Sequence, residues 1–61
     1  MSGRIFRCVR DLEPGDVIPQ GAGSPWVVRA TRKRRGDAVE VFFLDGSAGI
    51  YRGSDEFEVK Q

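Results

Sequence analysis

Hydrophobic and polar residues alternate along this chain in short runs, and no run repeats with the period of a helix. A period of two is typical of strands that are buried on one face. Glycine and proline stand between the runs and mark turns. The pattern predicts five strands, with a further short extended piece at 17–18. The strands are expected at about residues 4–10, 26–31, 38–44, 47–52 and 57–60.

Three of the connections carry turn signals. Residues 13–16, Glu-Pro-Gly-Asp, have proline and glycine at the two central positions of a type II turn. The Asp-Gly pair at 45–46 predicts a two-residue hairpin turn of type I′, in which both central residues have positive φ. Residues 53–56 are expected to form one short helical turn before the last strand, with Ser54 as its cap.

The same alternation assigns the strand residues to two faces, one of which is expected to form the core. The predicted core consists of Phe6, Cys8, Leu12, Val17, Trp26, Val28, Val39, Val41, Phe43, Ile50, Phe57 and Val59. Five short strands in about sixty residues are too few for two full sheets. A small, strongly bent barrel is the economical arrangement, because closure removes exposed sheet edges. The sequence therefore predicts one all-β domain that covers residues 1–61.

This order of elements resembles the small barrel of the Src-homology-3 (SH3) type. Two stretches carry a closer resemblance. LEPGDVI at 12–18, followed by GSPWVV at 23–28, is similar to the KOW-like N-terminal barrel of elongation factor P, and VEVFFLDGS at 39–47, followed by Tyr51, resembles a Tudor-type strand pair. The resemblance implies a five-stranded SH3-like barrel with one 3-10 turn before the last strand. It also implies binding to polymers, but no activity.

Charge is distributed unevenly along the chain, although the formal net charge is only +1. Residues 1–35 contain eight Lys and Arg against three Asp and Glu, whereas residues 36–61 contain two against six. Such asymmetry indicates a basic patch or an internal seam of ion pairs. Five cations fall within seven residues, and we call them the basic segment: Arg29, Arg32, Lys33, Arg34 and Arg35.

The basic segment is the first candidate binding site. Phosphate backbones attract concentrated cations without regard to sequence, because binding releases counterions. This favours a non-enzymatic module that binds RNA or DNA backbone through Arg29, Arg32, Lys33, Arg34 and Arg35. Two alternatives stay open: a solvated hairpin tip that keeps the domain soluble, and a docking site for an acidic protein surface.

A second hypothesis is a small interaction, inhibitory or regulatory module, for example one encoded by a phage or plasmid, that binds a larger protein. Phe42 shares the face of Glu40 and lies near Leu44, which predicts an apolar spot on the outside of the sheet. Tyr51 is a further candidate and has no predicted face. Such a module would hold its partner through the surface of Phe42, Leu44 and Tyr51 or through a β edge.

Other functional classes lack the residues that they need. The chain has no histidine and one cysteine, which excludes histidine-assisted catalysis, an intramolecular disulfide and a usual zinc site. We therefore expect no enzymatic activity, cofactor or metal, and no small-molecule substrate is evident.

No apolar run approaches the ~20 residues of a membrane helix, and no signal-peptide pattern is present, so a cytoplasmic protein without a membrane partner is expected. The oligomeric state stays open.

Overall fold

The structure, a computed structural model, describes residues 5–60. Arg4, which begins the first predicted strand, lies outside the described residues. The strands are β1 (Ile5–Cys8), β2 (Val17–Ile18), β3 (Trp26–Lys33), β4 (Ala38–Phe43), β5 (Ala48–Arg52) and β6 (Glu56–Val59). A 3-10 helix covers Val9–Asp11, and residues 5–60 contain no α-helix. The predicted all-β class is confirmed, and the short piece at 17–18 is a sixth strand.

The strands form two antiparallel sheets. Four of them make a curled half-barrel in the order β2-β3-β4-β5, and β1 pairs with β6 in a second sheet. Backbone hydrogen bonds join the two sheets at two places. The N–H of Lys60, after β6, donates to the oxygen of Val17 in β2 at 2.7 Å, and the N–H of Arg10, after β1, donates to the oxygen of Gly53, the residue after β5, at 3.1 Å. The core lies between the sheets.

Eight hydrophobic side chains are buried in this core, namely Val9, Leu12, Ile18, Val28, Val39, Val41, Phe43 and Val59. Six of them belong to the predicted core. Trp26 and Phe57 also pack against the core but are only half-buried, and the Trp26 ring centroid lies 5.0 Å from that of Phe43. Cys8 and Val17 are half-buried as well.

Two predicted core residues are exposed. Phe6 is 56% and Ile50 is 59% exposed, so both predictions were wrong. Their chain neighbours Ile5 and Tyr51 pack against the core instead. Because side chains on a strand alternate between faces, an error of one residue moves the whole set to the opposite side.

Two core residues were missed. Val9 is fully buried at the start of the 3-10 helix and, at an even spacing from the core-facing Ile5, was missed through the same error of one residue that misplaced Phe6. Ile18 is 3% exposed, but it belongs to a strand of two residues, which is too short for alternation to assign a face. Both side chains are buried by residues distant in sequence, which the local pattern does not contain.

The turns follow the glycines, with one change of type. The turn before β2 has the predicted left-handed glycine, Gly15, with a φ of +97°. In the turn between β4 and β5, only Gly46 has positive φ, at +93°, so the predicted type I′ turn is wrong at Asp45. The N–H of Phe43 donates to the oxygen of Ser47 at 2.9 Å, which closes a three-residue loop. Loops of this length place a left-handed glycine last, as a bulge.

The predicted helical turn at 53–56 is absent. The N–H of Asp55 donates to the oxygen of Arg52 at 3.0 Å, and the Asp55 carboxylate accepts the N–H of Arg52 at 3.1 Å. The carboxylate thus forms a local hydrogen bond that competes with a helical turn. In residues 5–60 the 3-10 helix follows β1 rather than preceding the last strand.

Candidate nucleic-acid interface

The basic segment lies at the end of the hairpin formed by β3 and β4. The strand β3 continues two residues beyond its predicted end, so Arg32 and Lys33 are strand residues, and the last two arginines of the segment lie in the turn. The N–H of Arg34 donates to the oxygen of Ala38 at 2.9 Å. Gly36 has a φ of +71°. Glycine adopts this left-handed conformation without steric cost, which allows the chain to reverse direction here.

The strand cations point to both sides of the hairpin. In β4, Val39 and Val41 are buried, and we call their side of the sheet the inner face; the opposite side is the outer face. Arg32 is the cross-strand partner of Glu40 on the outer face, and Lys33 is that of Val39 on the inner face. Because cross-strand partners share a face, the hairpin presents positive charge in two directions.

One of the loop cations is paired. The Arg34 guanidinium lies 3.1 Å from the Glu40 carboxylate, and both side chains are partly exposed. Arg32, Lys33 and Arg35 are exposed and form no ion pair within residues 5–60. In the described residues, no carboxylate lies within ion-pairing distance of these three cations.

Arg29 lies in a β-bulge of β3, apart from the other four cations. The register between β3 and β4 shifts between Val28 and Ala30, so Arg29 has no cross-strand partner. Its guanidinium carbon lies 5.7 Å from the centroid of the Phe42 ring on the outer face. Such a cation–π contact holds the guanidinium over the ring while leaving its charge intact.

The structure adds a cation that the sequence pattern did not single out. Arg10, on the 3-10 helix, lines a small hollow of about 150 Å³ together with Lys33 and Arg34 of the basic segment. Two backbone hydrogen bonds place it there. The N–H of Arg10 donates to the oxygen of Gly53 at 3.1 Å, and the N–H of Gly53 donates to the oxygen of Asp37 at 2.6 Å. Arg10 precedes Lys33 by more than twenty residues, so no local spacing could have revealed this proximity.

The three residues predicted for a protein-binding surface do not share one face. Phe42 is half-buried on the outer face. Leu44 is 63% exposed in the β4–β5 turn, where its N–H donates to the oxygen of Val27 at 2.9 Å. Tyr51 lies on the inner face, and its ring meets that of Phe57 edge-on, with centroids 5.1 Å apart.

Ile50 takes the place of Tyr51 on the outer face. Cross-strand pairing places Ala30, Phe42 and Ala48 in one row across β3, β4 and β5. In the next row, Ile50 is the partner of Glu40. The outer face thus has a small apolar centre, and arginines border it.

Comparisons with known proteins give no match: no family model, curated protein or solved structure is similar enough to this chain to count as one. In the described part of the chain, no helix has the length and apolar character to cross a membrane. The same residues contain no cluster of three or more Cys, Asp or Glu side chains placed to hold a metal ion.

Proposed function

We propose that this chain is a non-enzymatic binding module that binds the sugar–phosphate backbone of RNA or DNA through its basic segment. The observation that carries the proposal is the group of exposed cations at one end of the β3–β4 hairpin. Arg32, Lys33 and Arg35 form no ion pair there within residues 5–60. Arg10 adds positive charge on the inner side of the same end.

The arrangement favours phosphate over a specific base sequence. Arg32 and Lys33 lie on opposite faces of the hairpin, so the strand cations do not form one surface that could read the edge of a base. Contacts to phosphate position a protein on nucleic acid but carry no sequence information. We therefore expect binding to many sequences with similar affinity, dominated by counterion release.

We further propose that the two sheets form a small barrel of the SH3 type, with β2 as a short element of its long first loop. Hydrogen bonds from the N–H of Lys60 to the oxygen of Val17 and from the N–H of Arg10 to the oxygen of Gly53 join the sheets and support closure. A barrel of this kind holds the β3–β4 hairpin on a rigid base. The cations of the hairpin can then contact a polymer while the hydrophobic core stays shielded from water.

The test is the salt dependence of binding to labelled single- and double-stranded DNA and RNA. With about four phosphates neutralised, log affinity should fall against log salt with a slope near −3 to −4. Lys33→Ala should flatten the slope by about 0.7–0.9, because one phosphate contact is lost. Lys60→Ala is the matched control, since Lys60 is also an exposed lysine but lies beside β2 and the loop after it.

The double variant Arg32→Ala/Arg35→Ala should flatten the slope by about 1.4–1.8 and weaken all sequences alike. Two results contradict the proposal. One is wild-type protein that binds none of the four nucleic acids at low salt. The other is a loss of slope in Lys60→Ala equal to that in Lys33→Ala.

A second candidate function is a module that binds a protein, favoured by the exposed Leu44 side chain beside the half-buried Phe42. Affinity capture with and without nuclease separates the two candidates. A partner that stays bound after nuclease treatment and is lost in Leu44→Lys favours this function. A partner that nuclease removes favours nucleic acid.

A further inference from the structure

The outer edge of β5 carries backbone groups without a partner. Two hydrogen bonds fix which residues of β5 bond to β4: Phe43 N–H to Ser47 oxygen at 2.9 Å, and Gly53 N–H to Asp37 oxygen at 2.6 Å. Hydrogen-bonded pairs alternate with non-hydrogen-bonded pairs in an antiparallel ladder. The hydrogen-bonded pairs between these two are therefore Val41 with Gly49 and Val39 with Tyr51.

It follows that Ala48, Ile50 and Arg52 direct their N–H and C=O groups away from β4. The groups of Arg52 are satisfied by Asp55. Those of Ala48 and Ile50 have no protein partner in the described residues, and β5 is the last strand of its sheet. The edge has no proline or bulge to block pairing, and the Ile50 side chain is 59% exposed. Edges of this kind pair readily with another strand.

We propose that the β5 edge pairs antiparallel with the β5 edge of a second copy of this chain, with Gly49 at the two-fold axis. In this register, Ala48 lies opposite Ile50 of the second copy, and Ile50 lies opposite Ala48. The four free groups of each copy then form four hydrogen bonds in total. Arg52 is excluded from this ladder, which agrees with its bonds to Asp55.

The side chains of β5 fit this partner. Two exposed isoleucines each pack over an alanine of the other copy, so large residues face small ones. At the axis, a non-hydrogen-bonded pair brings Cα atoms to about 4.5 Å. Gly49 adds no side chain there, and a Cβ at this position would lie 2.7 Å from the Tyr51 hydroxyl of the same copy.

Charge favours the same arrangement. Arg52, at one end of β5, comes opposite the turn that contains Asp45 in the second copy. Arg52 forms no ion pair within residues 5–60, and Asp45 carries no salt bridge there either. Each copy thus supplies both the Arg52 cation and the Asp45 anion, as a two-fold symmetric interface requires.

The first measurement is sedimentation equilibrium of the whole chain over a range of concentrations. The wild-type protein should shift from monomer to dimer as concentration rises towards about 1 mM, the range of a weak interface. Ile50→Lys should raise the dissociation constant about tenfold or more, since it adds like charges across the axis. Phe6→Lys is the matched control, since Phe6 is similarly exposed, at 56%, but lies on β1 in the other sheet, and it should leave the constant unchanged.

The second measurement tests the register by amide hydrogen exchange. The amides of Ala48 and Ile50 should exchange fast in dilute wild-type protein and slowly in concentrated protein. The amides of Gly49 and Tyr51 bond to β4 and should be protected at both concentrations. Monomeric mass at every concentration overturns the proposal. So does equal weakening by Phe6→Lys, or fast exchange of Ala48 and Ile50 in the concentrated sample.

Discussion

The two faces of β4 differ sharply, although their residues alternate one by one along the same strand. On the inner face, Val39, Val41 and Phe43 are all buried. On the outer face, Glu40 and Phe42 are half-buried and contact the cations of β3 and its turn. The inner face stabilises the fold mainly by removing apolar area from water. The outer face contributes mainly through charges that solvent partly screens. The inner face of β4 therefore contributes more to the free energy of unfolding than the outer face does.

Phe43 and Phe42 allow this difference to be tested with one residue type at adjacent positions. Phe43→Ala removes a ring that is 2% exposed and that packs against Trp26, so it should lower the free energy of unfolding by about 3–5 kcal/mol. Phe42→Ala removes a half-buried ring and its contact with Arg29, and should cost about 1 kcal/mol. Urea denaturation followed by circular dichroism measures both.

A loss of 3–5 kcal/mol is a large fraction of the stability of a domain of this size. Phe43→Ala is therefore expected to be partly unfolded at 25 °C even without denaturant. If the two variants lose equal stability, the outer face contributes to folding as much as the inner face, and the division of roles is wrong.

Gly53 and Gly23 extend the comparison from strands to loops. Gly53 is buried between Arg10 and Asp37, and a Cβ there would lie 2.8 Å from the Asp37 carboxylate and 3.3 Å from the Arg10 Cβ. Gly53→Ala should cost about 1–3 kcal/mol through overpacking. Gly23→Ala, in an exposed loop where a Cβ meets only ordinary contacts, should change stability by less than about 0.5 kcal/mol.

Thermal unfolding of the two glycine variants gives the difference directly. Gly53→Ala should also weaken the proposed nucleic-acid binding, because Gly53 links Arg10 to the turn of the basic segment through Asp37. Equal melting temperatures for the two variants would show that the 53–55 loop yields as easily as the exposed loop.

Sequence pattern predicted the fold where strands are long and strictly alternating. In β4 every assignment of face was right, because three apolar residues repeat at a period of two. In β5 the pattern offered Ile50 and Tyr51 as neighbours, and hydrophobicity favoured the wrong one. The packing of the Tyr51 ring against Phe57 decides its face, and that contact depends on a strand that follows the intervening turn.

For the candidate site too, the sequence predicted the features that are local in sequence and missed those that depend on the fold. Local charge density identified the basic segment, because its cations are contiguous in sequence. It did not identify Arg10, which reaches the segment only through the backbone bonds of Gly53. Nor did it predict the pairing of Arg34 with Glu40, which depends on the register of the hairpin.

The smallest expected effect concerns an exposed turn, where local hydrogen bonds act without burial. The Ser47 hydroxyl donates to the Asp45 carboxylate at 2.6 Å and the Ser47 N–H donates at 2.8 Å, and these bonds hold the pKa of Asp45 below its ordinary value. The folded-state pKa is thus lower than the unfolded one. The associated stability is present above about pH 4 and is lost as pH falls through the lowered pKa.

In Ser47→Ala the hydroxyl bond is absent and the N–H bond remains, so the pKa of Asp45 should rise part of the way towards its ordinary value. Carboxyl carbon shifts followed by NMR titration measure this, with Asp11, an exposed aspartate outside this turn, as the internal control. An unchanged Asp45 titration in Ser47→Ala would mean that the hydroxyl does not hold the carboxylate in solution.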